Sequence, residues 1–284
     1  MQKRIIGRAD LIAIFNAAHF ALRHYAQGYY PLFNSPMRYM SVNRMFFPLK
    51  NPNGPKNFIA DAFRQYELKP GHMYFIPAFL PSRFELDDQL FFLSIQTNLE
   101  IFPGVELFSG CPRMLEIPAP PEFTSLMEIF DARDSETLYL NAVRAGSLAF
   151  SMLARMLDHY EPQDFWKPLA MRNYADLIDY LNQSGNALTS VADLAREKKL
   201  SRENFTRHFI ADTGITPKQL IDRFVMGRCM TLIEQGRSFK EISRMMAFRD
   251  EFAFSRYFKR NIGESPRIWR NRWRDSHAPY SALN

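Results

Sequence analysis

A segment near the carboxyl end of the chain is repeated once, at an offset of 48 to 49 residues. Ser190-Val-Ala-Asp-Leu-Ala-Arg196 aligns with Ser238-Phe-Lys-Glu-Ile-Ser-Arg244. The second copy then has one extra residue. After it, a further block aligns Phe205, Arg207, Phe209, Gly214 and Pro217 with Phe254, Arg256, Phe258, Gly263 and Pro266. Both copies start with Ser-x-x-acid, a pattern in which the serine oxygen accepts a backbone N–H of the first helical turn. Each copy therefore predicts a short helix, a turn and a second helix, which is the plan of a DNA-binding helix-turn-helix.

The second predicted helix of each copy carries side chains suited to reading DNA. Phe205 and Phe209 are four residues apart, so both can pack on the preceding helix while another face stays free. Polar and apolar groups on that face can hydrogen-bond base edges or touch thymine methyl groups, and neighbouring cations suit phosphate contacts. The predicted DNA-binding residues are Arg202, Glu203, Thr206, Arg207, Glu251, Phe252, Ser255, Arg256 and Lys259, with Arg260 as a further phosphate contact.

A long helix is predicted between the two copies. Thr216-Pro217 opens it, with proline at the first helical position, and Gly236 ends it. About 19 residues at about 1.5 Å each span roughly 28 Å, whereas successive major grooves on one face of B-DNA lie roughly 34 Å apart. We therefore expect one chain to place two reading helices in adjacent grooves.

The first half of the sequence predicts strands followed by helices. From Met37 to about Phe108, short apolar runs alternate with Pro, Gly and Asn, which indicates an antiparallel sandwich or barrel. Lys69-Pro-Gly-His72 has the residue order of a type II turn between two strands. From Glu122 to about Tyr160 apolar residues recur at helical spacing, so these helices cover the barrel or pair with a second subunit. The segment Glu161 to Pro168 is the predicted linker.

Charge and composition narrow the class of protein. The chain has 284 residues and a net charge of +6; from Met171 onward there are 20 basic and 13 acidic residues, against 16 and 17 before it. Such asymmetry is typical of a nucleic-acid-binding module joined to a neutral one. The two cysteines cannot form a disulfide framework or a Cys-rich zinc site. The six histidines show no H-x-H cluster, which disfavours a metal-dependent cupin enzyme.

No apolar run reaches the 18 or more residues that a bilayer-spanning helix needs. Lys3 and Arg4, followed by an apolar stretch from Leu11, resemble a secretion signal superficially. Arg8 and Asp10, together with Asn16 and His19, interrupt the apolar core that such a signal requires. We therefore expect an amphipathic N-terminal segment in a cytoplasmic protein.

Two motifs carry a resemblance to a known family. The stretch Val191-Ala-Asp-Leu-Ala-x4-Leu200-Ser-x3-Phe205-x-Arg-x-Phe209-x4-Gly214-Ile-Thr-Pro217 resembles the first helix-turn-helix of AraC/XylS-type transcription regulators. The stretch Phe248-x-Asp-x3-Phe254-Ser-Arg-x-Phe258-Lys-Arg-x2-Gly263-x-Ser-Pro266-x2-Trp269-Arg270 resembles their C-terminal signature. The resemblance covers about Arg172 to Arg274. The sequence departs from the family pattern at two positions. Ala247 stands where glycine is usual, so we expect the turn between the two helices to be slightly altered. Phe252 stands where a small polar residue is common.

The resemblance implies a sequence-specific regulator that binds double-stranded promoter DNA as a homodimer or under the control of a small effector. Relatives often carry an N-terminal cupin-like barrel whose effector is frequently a sugar. Leu68 to Pro77 resembles the paired strands of that barrel loosely, and Ser82 stands where many relatives have histidine. RNA polymerase would be a further partner of an activator. No cofactor and no membrane are implied, and the expected location is the cytoplasm, on the nucleoid.

Together these expectations define an α+β protein of two domains. Residues 1–165 are predicted to form a regulatory and dimerisation domain, with a cupin-like antiparallel β-barrel at about 30–115 and flanking helices at about 122–160. Residues 171–284 are predicted to form an all-α DNA-binding domain. Its parts are helix-turn-helix units at about 189–212 and 238–262 and the connecting helix at about 217–235.

Two alternative functions remain at this stage. The first half can be a dimerisation module that binds no ligand. The protein can also be a DNA-repair alkyltransferase with a reactive cysteine, because such proteins can share this DNA-binding module. Cys111 lies in Ser109-Gly-Cys-Pro112 with few basic neighbours to lower its pKa, which disfavours the second alternative.

Overall fold

A computed structural model describes residues 12, 15–16, 18–29, 32–35, 37, 40–102, 105–131, 137–165, 172–262 and 264–277. The chain forms two compact units. One consists of Phe20–Asn98 and Phe108–Phe165, and the other combines Leu99–Leu107 with the described residues of Met1–His19 and Trp166–Asn284. Most of the predicted amphipathic N-terminal segment, and the predicted linker from residue 166 onward, lie outside the described residues.

The described strands form two sheets. The first has the order β1-β8-β3-β6-β10, with β9 paired to β8, and the second has the order β2-β7-β4-β5. Every pairing whose register the structure describes is antiparallel. The strands are β1 His19–Tyr29, β2 Phe33–Asn34, β3 Asn43–Lys50, β4 Phe58–Ala60, β5 Gln65–Glu67, β6 His72–Ile76, β7 Arg83–Leu86, β8 Phe91–Phe102, β9 Val105–Glu106 and β10 Leu115–Pro118.

The central strands are buried on both faces. Successive side chains of a strand point to opposite sides of the sheet, so Phe46 and Phe92 pack with Phe84 of the second sheet in a shared core. Phe47 points the other way, and its ring stacks on Phe123, with 4.4 Å between the ring centroids. Burial on both faces explains why these strands have nearly continuous apolar sequences rather than an alternating pattern.

The predicted turn at Lys69-Pro-Gly-His72 is confirmed. It joins β5 to β6, the His72 N–H donates to the Lys69 carbonyl at 3.3 Å, and Gly71 has a φ of 80°. A positive φ at this third position is the reason that a type II turn favours glycine there.

Nine helices occur in the described part of the chain, along with several single 3₁₀ turns. Two follow the sheets and seven lie in the C-terminal region. They are α1 Glu122–Asp131, α2 Leu138–Arg155, α3 Ala175–Ser184, α4 Val191–Glu197, α5 Arg202–Thr213, α6 Pro217–Glu234, α7 Phe239–Met245, α8 Glu251–Ile262 and α9 Pro266–His277. None of the described helices is both long and apolar enough to cross a membrane.

The architecture is the predicted one, with antiparallel sheets, flanking helices and a helical C-terminal region. One strand was missed, because the sheets begin with β1 at His19, well before the predicted start of the barrel at about residue 30. β1 lies at the edge of its sheet and most of its residues are only half-buried. Arg23 and His24 also interrupt its apolar pattern, so this segment carries little sign of a strand.

Local capping signals fix the helix starts of the C-terminal region. Ser190 and Ser238 each accept a hydrogen bond from the backbone N–H three residues later, and the acidic side chain there bonds back. Thr216 does the same with Gln219 at the start of α6, and Pro217 occupies the first helical position. Reciprocal bonds of this kind satisfy backbone groups that a helix end leaves without partners.

The helices α3 and α9 were not predicted. The start of α9 repeats the signal that opens α6, since Ser265-Pro266 corresponds to Thr216-Pro217. The start of α3 has no such signal, because Tyr174 precedes it without a side-chain capping bond.

Candidate nucleic-acid interface

Each repeat folds into two helices that pack through phenylalanines of the second helix. Phe205 and Phe209 of α5 are fully buried, and the ring centroid of Tyr174 lies 4.8 Å from that of Phe209. In the second copy Phe254 and Phe258 of α8 are also fully buried, and Trp269 packs on Phe258 at 6.1 Å. This packing fixes the rotation of α5 and α8 about their axes, so the opposite face of each helix is turned outward.

The two turns inside the repeats have the same backbone conformation. Lys199 has a φ of 54° and Ala247, at the equivalent position, has a φ of 55°. The next residue donates equivalent hydrogen bonds in both copies, from Leu200 N–H to Ala195 at 2.9 Å and from Phe248 N–H to Ser243 at 2.8 Å. The expected alteration of the turn at Ala247 is therefore not seen in its hydrogen bonds. Instead, alanine adopts a left-handed conformation that favours glycine.

The structure groups the predicted contact residues of each copy on one recognition helix. On α5 the side chains of Arg202, Glu203 and Arg207 are exposed and Thr206 is half-buried. A hydrogen bond within the helix orients the Arg207 guanidinium, because its Nη2 donates to Asn204 Oδ1 at 3.0 Å. A DNA duplex in contact with this face would meet all four predicted side chains.

On α8 the predicted set has the same arrangement. Ser255 is half-buried and the other members are exposed, namely Glu251, Phe252, Arg256, Lys259 and Arg260. Phe252 has 76% of its surface exposed, whereas the other phenylalanines of α8 are buried in the core. The ring of Phe252 therefore contributes little to the packing of the described domain.

Positive charge dominates the outer face of α8. Arg256, Lys259 and Arg260 form no salt bridge with any described residue. Asp250 precedes the helix, and its pKa is lowered mainly by the Ala253 N–H and the Arg249 side chain, with smaller contributions from the charges of Arg249 and Arg256. Cations that form no salt bridge with a carboxylate are available to neutralise phosphates.

A groove lies beside α8 that the sequence did not reveal. It has a volume of about 480 Å³ and is lined by Ala187, Phe248, Ala253, Arg256, Tyr257 and Arg260. Ala187 precedes the first repeat, and its N–H donates to the Met246 carbonyl at 2.9 Å. The groove therefore depends on residues far apart in the chain, for which the repeat alignment contains no signal.

Arg196 and Arg244 were visible in the alignment but were not assigned a role. They occupy equivalent positions at the ends of α4 and α7, and both are exposed. A cation in the last turn of a helix interacts favourably with the helix dipole, and both guanidiniums also remain accessible to phosphate.

One buried apolar cluster supports both repeats. It includes Leu194 and Phe205 of the first copy, Phe224 of the connecting helix, and Ile242 and Phe258 of the second copy. The two helix-turn-helix units therefore share a single core and are not two independent modules joined by a flexible linker.

Other chemistry receives little support from the described residues. Within the described ranges, no group of three or more His, Cys, Asp or Glu side chains is placed to hold a metal ion. Cys111 and Cys229 are both buried. Burial raises the pKa of Cys229 to about 12, which makes its thiolate scarce at neutral pH.

Paired helix-turn-helix units with exposed cationic reading faces define a DNA-binding transcription regulator. Residues 194–272 match a family described as a helix-turn-helix domain. The chain is 22% identical over 213 residues to the raffinose operon transcriptional regulatory protein RafR of Pediococcus pentosaceus, with 72% of this chain and 76% of RafR covered. It is 27% identical over 154 residues to the Msm operon regulatory protein of Streptococcus mutans, with 52% and 54% covered.

The whole fold also has a counterpart among solved structures. The crystal structure of ToxT from Vibrio cholerae O395 superposes with a TM-score of 0.54 at 14% identity, covering 90% of this chain and 98% of ToxT. Residues 194–272 therefore form an AraC-type helix-turn-helix domain, as the sequence resemblance predicted, and the curated relatives of the chain are named as transcriptional regulators.

Proposed function

We propose that the chain controls transcription by placing α5 and α8 in successive major grooves of a promoter. The observation that carries this proposal is the pair of equivalent units with exposed reading faces on one shared core. The connecting helix α6 has 18 residues, or about 27 Å at about 1.5 Å per residue. That length is comparable with the roughly 34 Å between successive grooves on one face of B-DNA.

The exposed side chains divide into two roles. Arg207 and Arg256 occupy equivalent positions on the two reading faces, and arginine pairs bidentately with guanine. Glu203 and Thr206 complete the first set, and Glu251, Phe252 and Ser255 complete the second. Arg202, Lys259 and Arg260 lie beside these faces and position the protein on phosphates without reading sequence.

We include a homodimer in the proposal, in which α2 of one copy packs against α2 of the other. Tyr139, Val143 and Phe150 are exposed along α2, with Gly146 between them. The spacing of four, three and four residues is that of a coiled-coil seam, and the only charges of α2 are Arg144 and Arg155. An apolar heptad seam with so little charge suits the same helix of a second copy.

The N-terminal sheets are proposed to bind a small effector that shifts the population between DNA-binding arrangements. One structure of the same fold, at 11% identity and a TM-score of 0.54, is wild-type ToxT from V. cholerae bound to an unsaturated fatty acid. The alternative in which the N-terminal half only dimerises predicts no ligand. A thermal-shift screen separates the two, because a ligand that binds only the native state raises the melting temperature.

The proposed role contains no catalytic step. We place the protein in the cytoplasm, where it binds promoter DNA. If it is an activator, it also contacts RNA polymerase. The alkyltransferase alternative requires a reactive thiol, and Cys111 is buried. Incubation with methylated DNA followed by mass spectrometry of the Cys111 peptide tests it, and a methylated Cys111 would restore that alternative.

Selection of bound sequences from a random DNA pool by the full chain tests the central proposal. We expect a bipartite site whose two parts are about one helical turn apart. The Arg256→Ala variant should lose affinity for the selected site, whereas Lys56→Ala, which removes an exposed cation from the N-terminal unit, should not. Recovery of unrelated sequences that bind only in a salt-dependent way would overturn the proposal.

A further inference from the structure

Positive charge is also concentrated outside the two reading faces. The helix α9 and residues 237–241 at the start of α7 carry six cations, and their acids are Glu241 and Asp275. The cations are Arg237, Lys240, Arg267, Arg270, Arg272 and Arg274. Lys240, Arg267 and Arg274 are exposed and form no salt bridge with any described residue. The proposed contacts of α5 and α8 with DNA make no use of this charge.

Three of these arginines form a row along α9, which we call the arginine stripe. Arg267, Arg270 and Arg274 are spaced three and four residues apart, so they lie on one face of the helix. The neighbouring Trp269 is buried, and its ring centroid lies 6.1 Å from that of Phe258 in α8. This packing fixes the rotation of α9 about its axis, and the two outer arginines of the stripe remain exposed.

Arg270, in the middle of the stripe, holds it against the start of α7. The guanidinium carbon of Arg270 lies 3.7 Å from the ring centroid of Phe239, and its Nη2 donates to the Arg237 carbonyl at 2.6 Å. Its Nε is buried and has no hydrogen-bond partner among the described residues. Burial lowers the pKa of Arg270, and the charge of Arg274 adds to this effect. The two like charges therefore repel each other in the free chain, and a bound anion would offset that repulsion.

The position of the stripe in the second helix-turn-helix unit points to DNA as its partner. The first helix of such a unit crosses the DNA backbone while the second enters the major groove, so insertion of α8 brings α7 over the phosphates. We infer that α9 is a third DNA contact, in which Arg267 and Arg274, with Lys240 of α7, bind phosphates that border the part of the site read by α8. This inference rests on the proposed function and extends the contact beyond the two reading helices.

The spacing and chemistry of the stripe suit a phosphate backbone. Arg267 and Arg274 are seven residues apart, or about 10 Å along the helix, and each strand of B-DNA has one phosphate per roughly 3.4 Å of its axis. A row of this length can therefore meet about three phosphates, and the planar guanidinium pairs bidentately with each. The stripe also continues the proposed interface, because only a short turn separates α9 from Lys259 and Arg260, the proposed phosphate contacts of α8.

The salt dependence of DNA binding by the full chain tests this contact. In the double variant Arg267→Gln, Arg274→Gln, binding to the selected site should weaken several-fold. The slope of log affinity against log salt should become shallower by about 1.8, which is about 0.9 for each lost phosphate contact, and the base preference should not change. Lys50→Gln, Lys56→Gln is the matched control, since it removes two exposed cations from the N-terminal unit. Equal losses in both double variants, or an unchanged slope in the arginine variant, would overturn the inference.

Ethylation of single phosphates in the selected site tests the location. Some phosphates should weaken wild-type binding when ethylated but not binding by the double arginine variant, and these should border the part of the site read by α8. Such phosphates beside the other part, or none at all, would overturn the inference. Arg274→Lys keeps the charge and should bind nearly as the wild type does, whereas a loss equal to that of Arg274→Gln would assign Arg274 a packing role instead. Recovery of no preferred sequence defeats the proposed function, and a preferred bipartite site with an unchanged salt slope in the arginine variant defeats only the contact of α9.

Discussion

The hydroxyl of Tyr257 donates a hydrogen bond to Oδ1 of Asp222 at 2.5 Å, which links the recognition helix α8 to the connecting helix α6. Lys218 Nζ lies 2.7 Å from the same carboxylate oxygen. A second tyrosine–aspartate bond occurs in the first repeat, where the Tyr174 hydroxyl donates to Asp212 Oδ2 at 2.6 Å and links the turn before α3 to α5. Each recognition helix is thus tied to a neighbouring element by a hydrogen bond to a charged group.

Tyr257→Phe removes only the donor of this bond. Burial raises the pKa of Tyr257, with Asp222 adding to the effect, so the hydroxyl stays protonated and donates across the neutral range. Because bonds to charged groups are the stronger class, we expect a loss of about 1.5–3 kcal/mol in the free energy of unfolding, measured with urea. Tyr180→Phe is the control, since Tyr180 packs on the same core. An equal effect of both substitutions would contradict a specific role for the Asp222 bond.

Arg256→Ala should weaken binding to the selected DNA site by about 1–3 kcal/mol and relax the preference at one base pair. Arg260→Ala should weaken binding about equally on all sequences and reduce the salt dependence, because a phosphate contact carries no sequence information. Fluorescence anisotropy with the selected site and with single-base variants measures both effects. A uniform loss for Arg256→Ala would make Arg256 a phosphate contact as well.

Phe252 is expected to contact the methyl group of a thymine. One thymine of the second half-site should then lose about 1 kcal/mol of binding when it is replaced by deoxyuracil, about the contribution of one buried methylene. The Phe252→Ala variant should bind both forms equally. Since the ring is 76% exposed in the free chain, the substitution should leave the melting temperature unchanged. A deoxyuracil effect that persists in the variant would assign methyl recognition to another residue.

Ala247→Gly should stabilise the second helix-turn-helix unit by about 1 kcal/mol. The φ of 55° at Ala247 is unfavourable for a residue with a Cβ atom and is open to glycine. Ala192→Gly is the opposite control, because Ala192 lies inside α4 and glycine there should cost about 1 kcal/mol. Urea unfolding measures both variants, and destabilisation by Ala247→Gly would show that the turn adopts another conformation in solution.

The cap at Ser190 makes part of the stability dependent on pH. Bonds from the Ser190 side chain and backbone lower the pKa of Asp193 below its value in an unfolded chain. This contribution is therefore present above about pH 4, the ordinary pKa of aspartate, and disappears as the pH falls through the lowered pKa. Ser190→Ala should cost about 1 kcal/mol at pH 7 and less at pH 3. A cost that does not depend on pH would mean that Asp193 contributes nothing through the cap.

The helices of the two repeats and the connecting helix were predicted from the sequence because their start signals are local, whereas α3 and α9 of the same region were missed. The predicted connecting helix at 217–235 corresponds to α6 at Pro217–Glu234, whose start is set by the Thr216 cap and by Pro217. The order of the strands could not be predicted, because pairing β8 with both β1 and β3 joins residues that are distant in sequence. The alternation along β8 was readable, but which of its faces meets the second sheet was not. That Phe46 and Phe92 face the second sheet therefore could be known only from the structure.

The single core beneath the two repeats has a consequence for promoters. Since Leu194 and Phe258 belong to one apolar cluster through α6, neither recognition helix can turn without disturbing the other. Adding one base pair between the two parts of a binding site rotates one part against the other by roughly a tenth of a turn, for about 10 base pairs per turn. A rigid protein cannot follow that rotation, so the permitted distance between the two halves of an operator is set by the side chains that fill this interior.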